Sequence, residues 1–380
     1  MIERQLPTDE AEALLALVRD IADNELRPIA AQHEESGEFP RETFRLLGKS
    51  GLLGLPYDEE WGGAGQPYEV YLQVLEELAA AWLSVAMGVS VHVLSCFPVA
   101  TAGTAAQQEE LLPSMLEGDL LGAYCLSEPQ SGSDAAGLAA TAELVGDHYV
   151  VNGTKAWITH GGQADFYNLF VRTPGTSGPT GITCLLADST TPGLSAAPPE
   201  NKMGARGSTT AQIILTDARV PADRLIGAQG HGFRIAMGAL DSGRLGIAAC
   251  AVGLAQAALD TAVDYAKQRE QFGRPIGQFQ GIGFLLADMA ARVQAGRALY
   301  LDAARRKDAG LDYSTQAAIA KLVATDNAMA VATDAVQILG GAGYTQDFPA
   351  ERFMREAKML QIVEGTNQVQ RLVISRDLLR

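Results

Sequence analysis

The spacing of apolar residues changes twice along the chain. Near the start, Leu14, Leu17, Val18 and Ile21 recur at three- and four-residue intervals behind Thr8 and Asp9, which predicts a one-sided helix with a capped start. Pro28 is expected near that helix's end. ETFRLLGKSGLLGL (42–55) predicts a short helix closed by glycines, and WGGAGQP (61–67) a loop. The Leu- and Ala-rich stretch from Tyr68 to about Leu121 predicts further helices. From Gly122 onward, short apolar runs alternate with turn dipeptides. AELV (142–145) and HYVV (148–151) flank Gly146-Asp147, and Asn152-Gly153 follows, a hairpin pattern. FYNLFVRT, GITCLLAD and AQIILTD carry strand texture to about Pro221. From about Gly232 the helical spacing returns. Segments 244–270, 283–310 and 315–341 predict three long helices, with QFGRPIGQFQ (271–280) breaking after the first. Ala and Gly on several faces of that first helix predict close packing in a bundle or an oligomer. The layout is helical, strand-rich, helical, divided at residues 1–121, 122–231 and 232–380.

Composition narrows the function classes. A chain of 380 residues exceeds one ordinary core and suits two or three packed units. The net charge of -16 argues against nucleic acid and anionic membrane surfaces as partners, since both need clustered Lys and Arg. Cys96, Cys125, Cys184 and Cys250 form no CxxC, and the five histidines show no HExxH spacing, so neither metal site nor disulfide framework is expected. No apolar run is expected to approach the roughly 18 residues of a membrane span. The N-terminus, MIERQLPTDE, lacks the apolar core of a signal peptide. The expected setting is a reducing, soluble compartment, here a bacterial cytoplasm.

Five segments could carry chemistry, and each has a plainer structural reading beside it. AYCLSEPQSGSDAAGL (123–138) offers the hydroxyls of Tyr124 and Ser127 and an amide-rich loop at Gly132 and Ser133, fit for a flat polar ring and a phosphate; it also reads as a strand–turn connector. KAWITHGG (155–162) places Trp157 where it would wall a cofactor or fill a core. Arg269, with Phe272 and a Gly-Arg-Pro turn, could fork onto a diphosphate or end a solvated helix. QILGGAGYT (337–345) allows close backbone approach or caps a helix. In IVEGTNQVQR (362–371), Thr366 could cap a helix with Val369, Leu372 and Val373 inward, and Glu364 stands just before it. Glu364 is either a half-buried general base, its pKa raised by burial, or an acid placed to suit the helix dipole.

Together these segments resemble one family, the acyl-CoA dehydrogenases. AYCLSEPQSGSDAAGL and QILGGAGYTQDFPAERFMREAKMLQIVEGTNQVQR are similar to its two signatures. QREQFGRPIGQFQ and DSGR (241–244) match two further segments in the same order, across essentially the whole chain. The resemblance implies a multidomain α and β fold: an N-terminal α-helical domain, a middle β-barrel-like domain and a C-terminal four-helix bundle. It implies FAD as cofactor and a homotetramer. Tyr124, Cys125, Leu126 and Ser127 would line the flavin ring, with Trp157 covering it, Ile158 and Thr159 also at the cofactor, Thr159 near N5, and Ser133 near pyrophosphate and CoA. Arg269, Gln271, Phe272 and Gln280, with Gln337, Gly340 and Gly341, would hold the FAD of a neighbouring subunit. Thr366 and Gln368 would touch the adenosine or pyrophosphate part. Asp241, Arg244 and Arg376 would contact the CoA ester, and Gly365 would allow the thioester's close approach.

The same resemblance implies that Glu364 takes the α-proton of an acyl thioester while the β-hydride goes to the flavin, giving a trans-2-enoyl-CoA. Electrons would then pass to electron-transferring flavoprotein. Some family members carry the base near DSGR instead; here Gly243 occupies that position and cannot serve. Val363 stands where many members have a tyrosine, and the texture of 241–260 is closer to short- and branched-chain members. Two rival classes share the scaffold. One is a flavin-dependent oxidase or monooxygenase, which the presence of Glu364 and the chain length argue against. The other is a non-catalytic CoA-ester binding subunit, expected to show a broken cofactor segment or no base.

Overall fold

A computed structural model describes residues 4–379. Helix α1 (Asp9–Ile21) starts at Thr8, whose hydroxyl accepts from the Ala11 N–H at 3.1 Å. Its buried side is Ala11, Leu15, Val18 and Ile21, while Leu17 is 45% exposed. The expected stripe is therefore rotated, because small Ala11 belongs to it at the i, i+4, i+7 positions. The chain runs on through a π turn, Ala22–Leu26, into α2 (Arg27–Ser36). Pro28 thus ends no helix; it lies in the first turn of α2, where a missing N–H breaks no hydrogen bond. Helices α3 (Arg41–Lys49), α4 (Tyr68–Ala81), α5 (Leu83–Ala102) and α6 (Ala105–Leu116) complete the helical region.

Eight strands follow: β1 (Gly122–Cys125), β2 (Thr141–Val145), β3 (His148–Thr159), β4 (Phe166–Arg172), β5 (Ile182–Asp188), β6 (Leu194–Ala196), β7 (Thr210–Pro221) and β8 (Leu225–Ile226). They form one sheet in the order β6-β7-β3-β2-β4-β5-β8, with β1 parallel to β4. Asn152-Gly153 does not turn the chain. It lies inside the 12-residue β3, where the pairing with β7 slips between Val151 and Gly153, a bulge rather than a hairpin loop. Gly153 is required there, since its φ is 143° and a Cβ would come within 2.5 Å of the Ala140 Cβ. β4, apolar but for Asn168 and Arg172, is buried on both faces. Tyr167, Leu169 and Val171 join one cluster within the sheet, while Phe166 and Phe170 pack with Cys96, Leu112 and Ala236 of the helices.

The C-terminal region opens with α7 (Gly232–Gln268), which begins twelve residues before the stretch that predicted it and so includes DSGR. A two-stranded hairpin follows, β9 (Glu270–Gln271) and β10 (Arg274–Pro275). Its loop residues Phe272 and Gly273 both take positive φ, 53° and 79°, the signature of a type I′ turn. Then come α8 (Gln280–Asp308), α9 (Ser314–Leu339), the short α10 (Gly341–Tyr344), α11 (Ala350–Leu360) and α12 (Asn367–Leu378). α7, α8 and α9 pack on one another, α11 and α12 pack on α9, and α4 docks onto α7 and α8. Helices α5 and α7 are long and apolar enough to cross a membrane, which corrects the expectation that no stretch reaches that length. Both are mostly buried inside the protein, as core helices that pass the same test by composition.

Candidate active site

Two cavities gather most of the residues singled out in the sequence. The first, of 390 Å³, lies where β1, the end of β3, the N-terminal half of α7 and the turn before α12 meet. It brings together Tyr124, Leu126, Ser127 and Ser133 with Trp157, Ile158 and Thr159, and sets them opposite Arg244, Glu364, Gly365 and Thr366. The second, of 570 Å³, joins Arg269, Gln271 and Phe272 to Gly340 and Gly341. Six predicted residues line neither cavity. Cys125 faces the cluster within the sheet, since alternate strand residues point to opposite sides. Gln280, Gln337, Gln368 and Arg376 are exposed on helix ends. Asp241 is tied to Arg244 and accepts from the Ser314 hydroxyl at 3.0 Å.

The local backbone explains how the first cavity is shaped. β3 loses register with β7 a second time, between Lys155 and Ile158, and within that bulge Trp157 has φ 61°. The side chain is thereby thrown outward and is 64% exposed, so the reading as a buried strand tryptophan fails. Lys155 points the other way. It is fully buried, donates to Glu128 Oε1 at 2.7 Å, and also reaches the Leu126 and Phe170 carbonyls. Glu128 in turn accepts from the N–H groups of Ala139 and Ala140. Burial alone would raise its carboxyl pKa, but Lys155 and these two N–H groups hold it below the ordinary value. The pair anchors both ends of the Ser127–Ala140 loop to the sheet.

Across the cleft, Glu364 and Gly365 take φ values of 52° and 90° in succession. A glutamate in the left-handed region costs backbone energy and persists only where its surroundings hold it. Thr366 closes this turn as N-cap of α12, accepting from the Val369 N–H at 3.2 Å. The inward side of α12 is Asn367 and Gln370; Leu372, expected inside, is 46% exposed. Glu364 as a residue is only half-buried, yet both carboxylate oxygens are shut off from solvent and lack a hydrogen-bond partner. Burial raises its pKa to about 7, against the opposing pull of Lys321 and Arg244. Among the described residues its backbone N–H also has no acceptor.

Sequence reading passed over the residue that supports this turn. Lys321 of α9 is fully buried and donates to the Gly365 carbonyl and to Asn367 Oδ1. The available signal was a lone cation inside the apolar run AAIAKLVA.

Comparison with known proteins follows the same outline. The family profiles described as acyl-CoA dehydrogenase N-terminal, middle and C-terminal domains match residues 8–119, 123–218 and 230–379. An acyl-CoA dehydrogenase of Bacillus subtilis (strain 168) is 45% identical over 373 residues, 98% of each chain. The structure of butyryl-CoA dehydrogenase from Megasphaera elsdenii superposes with a TM-score of 0.97 at 42% identity, covering 100% of both chains. A chain in a structure of the electron transferring flavoprotein of Acidaminococcus fermentans gives the same TM-score, identity and coverage. The chain belongs to the acyl-CoA dehydrogenase family of FAD-dependent oxidoreductases.

Proposed function

We propose that the protein removes the α-proton of a short or branched acyl-CoA with Glu364 as base, forming a trans-2-enoyl-CoA. The observation that carries this reading is the Glu364 carboxylate itself. It is dry, free of hydrogen bonds and poised near neutral pH, on a residue that lines the first cavity. A base so placed spends no hydrogen bond before it meets its proton, and its raised pKa matches it to weakly acidic carbon.

The residues present fit FAD. Trp157 and the hydroxyls of Ser127 and Thr159 border the first cavity, as a flat ring with polar edges needs. In the second, Arg269 has no ion-pair partner among the described residues and stands beside Phe272 and two glycines, a fit for a diphosphate held in part by a neighbouring copy. When bound, FAD supplies the acceptor for the β-hydride. The protein supplies placement and field. Its free Glu364 N–H is an oxyanion-type donor for the thioester carbonyl, which must be polarised as the α-proton leaves. Gly365 keeps the approach open, and burial of the Glu364 carboxylate keeps water from it.

Several finer points belong to this reading. The butyryl-CoA dehydrogenase likeness supports a short acyl chain, and the flavoprotein structure supports electron-transferring flavoprotein as acceptor. The exposed Arg269 and Phe272 support a tetramer whose copies complete each other's second cavity. Boundaries at residues 121 and 231 divide it into three domains. The test is anaerobic bleaching of the flavin by butyryl-CoA. Glu364→Gln should keep the flavin and bind the thioester, yet lose about 10²–10⁴ in bleaching rate. Bleaching at near wild-type rate in that variant overturns the assignment of the base.

A further inference from the structure

Glu364 is held where it is by something other than its own segment. The turn Glu364–Gly365 has two consecutive left-handed residues and no backbone hydrogen bond from the Glu364 N–H. The Gly365 carbonyl, by contrast, is doubly held: Lys321 Nζ donates to it at 3.0 Å and Gln370 Nε2 at 2.8 Å. Lys321 also donates to Asn367 Oδ1 at 2.9 Å, and Asn367 Nδ2 donates to Thr325 Oγ1 and Asp326 Oδ1. Lys321, Gln370 and Thr325 are all fully buried. Burying an ammonium is costly, and the buried residues of α9 around it are Ala317, Ala318, Ala320, Ala324 and Thr325, none of which accepts from it. The ion's acceptors are a single carbonyl of the turn that carries the carboxylate and a single amide at the start of the helix that follows it.

We propose that Lys321 is a positioning residue for the Glu364 base: through Gly365 O and Asn367 it pins the strained turn, and its charge favours the ionised carboxylate without bonding to it. This rests on the reading of Glu364 as the base. The geometry separates the two roles. A direct Lys–Glu hydrogen bond would occupy the oxygens that must accept a proton, whereas an ammonium fixed on the neighbouring carbonyl leaves both free. Other groups also act on Glu364: from α7, Arg244 and the Cys250 thiol, from α4 the Tyr68 hydroxyl, and from β1 the Tyr124 hydroxyl. Only Arg244 among these carries a positive charge, and it is shared with Asp241. Lys321 itself is pushed down to about 8 by burial, with Glu364 and Asp326 opposing.

The test compares holoenzyme variants by the pH dependence of single-turnover flavin bleaching with butyryl-CoA. Lys321→Met should slow bleaching by about tenfold or more and move its acid limb up by about one pH unit, as loss of a nearby opposite charge requires. Lys321→Gln removes the charge but keeps a donor, so it should move the limb equally while slowing the reaction less. It also carries the test if the Met variant does not fold. Lys321→Arg, which keeps the charge, should leave the limb at the wild-type pH. Amide exchange across 361–367 should quicken in the Met variant. A limb unmoved in both neutral variants overturns the proposal, as does an Arg limb displaced as far as the Met limb. Glu364→Gln tells this failure from a deeper one. If that variant bleaches normally, the base assignment falls; if it is silent and the Lys321 limbs do not move, only the positioning role falls.

Discussion

A Cβ built on Gly243 would lie 2.2 Å from Glu364 Oε2 and 3.1 Å from Leu94 Cδ1. Glu364, the proposed base, is therefore packed against bare backbone of α7, and the absence of a side chain there makes room for its carboxylate. Gly243→Ala should displace the carboxylate rather than α7, because the helix is fixed by its bundle. Misplacement of a catalytic group by about 1 Å can cost roughly 10²-fold, so bleaching by butyryl-CoA should slow by one to two orders of magnitude with flavin content unchanged. A variant with wild-type rates would show that the carboxylate need not sit against α7 during turnover.

The pH dependence of the wild type follows from the same contact. Burial raises the Glu364 pKa to about 7, and Lys321 and Arg244 lower it in opposition. Below that pH the carboxyl is protonated and cannot accept the α-proton; above it the anion is available. Bleaching should rise through about pH 7 and then level. Arg244→Gln removes a cation that favours the anion, so its limb should move to higher pH. A limb near pH 4.5 in the wild type would mean that the carboxylate is solvated in the working enzyme.

Leu94 borders two compartments. It lines the 390 Å³ cleft with Glu364 and also a 230 Å³ cavity on its other side, with Ser90, Val93, Phe97 and Ala239. The phenolic groups of Tyr57 and Tyr68 in that second compartment are already spent on the Val93 and Ser242 carbonyls, and Val93, Leu94, Phe97 and Ala239 supply its apolar side, with Asp58, Ser90 and Lys307 keeping the rest polar. Leu94→Ala should join the compartments and extend the accepted acyl chain. At about 0.8 kcal/mol per buried methylene, the hexanoyl-to-butyryl ratio of kcat/KM should rise by about tenfold. An unchanged ratio would place the end of the acyl chain elsewhere.

The helical, strand-rich, helical order was legible because side-chain spacing itself changes, from three and four residues to two and back. The Thr8 and Thr366 caps were legible for the same local reason. What escaped depends on distant partners. Asn152-Gly153 has turn chemistry, but pairing with β7 keeps it extended as a bulge. Lys321 stands out as a lone cation in an apolar run, but what it holds shows only once α12 is laid against α9. Gly243 could be dismissed as a base from its identity alone, yet its contact with Glu364 joins residues 121 apart in the chain. Gln280, Gln337, Gln368 and Arg376, placed by resemblance, are exposed on helix ends and line neither cavity.

Glu356 of α11 offers a test of stability rather than catalysis. It is 1% exposed, lies 3.7 Å from the Arg352 guanidinium, and has an oxygen without a hydrogen bond. Burial raises its pKa from 4.5 to about 8, with Glu34 and Glu351 adding to the rise and Arg352 and Arg355 opposing it. Between those two values the folded protein holds a proton that the unfolded chain has released. Stability must then fall as pH rises through that window, by up to ~1.4 kcal/mol per pH unit from this group, and level off above about pH 8. Glu356→Gln has no such proton to lose, so the variant should gain on the wild type by about 2–3 kcal/mol between pH 6 and 8.5. Urea unfolding of both proteins at the two pH values isolates this group, since every other titration cancels in the difference. A gap between variant and wild type that is equal at both pH values would mean that Glu356 is ionised in the folded state, its charge met by Arg352.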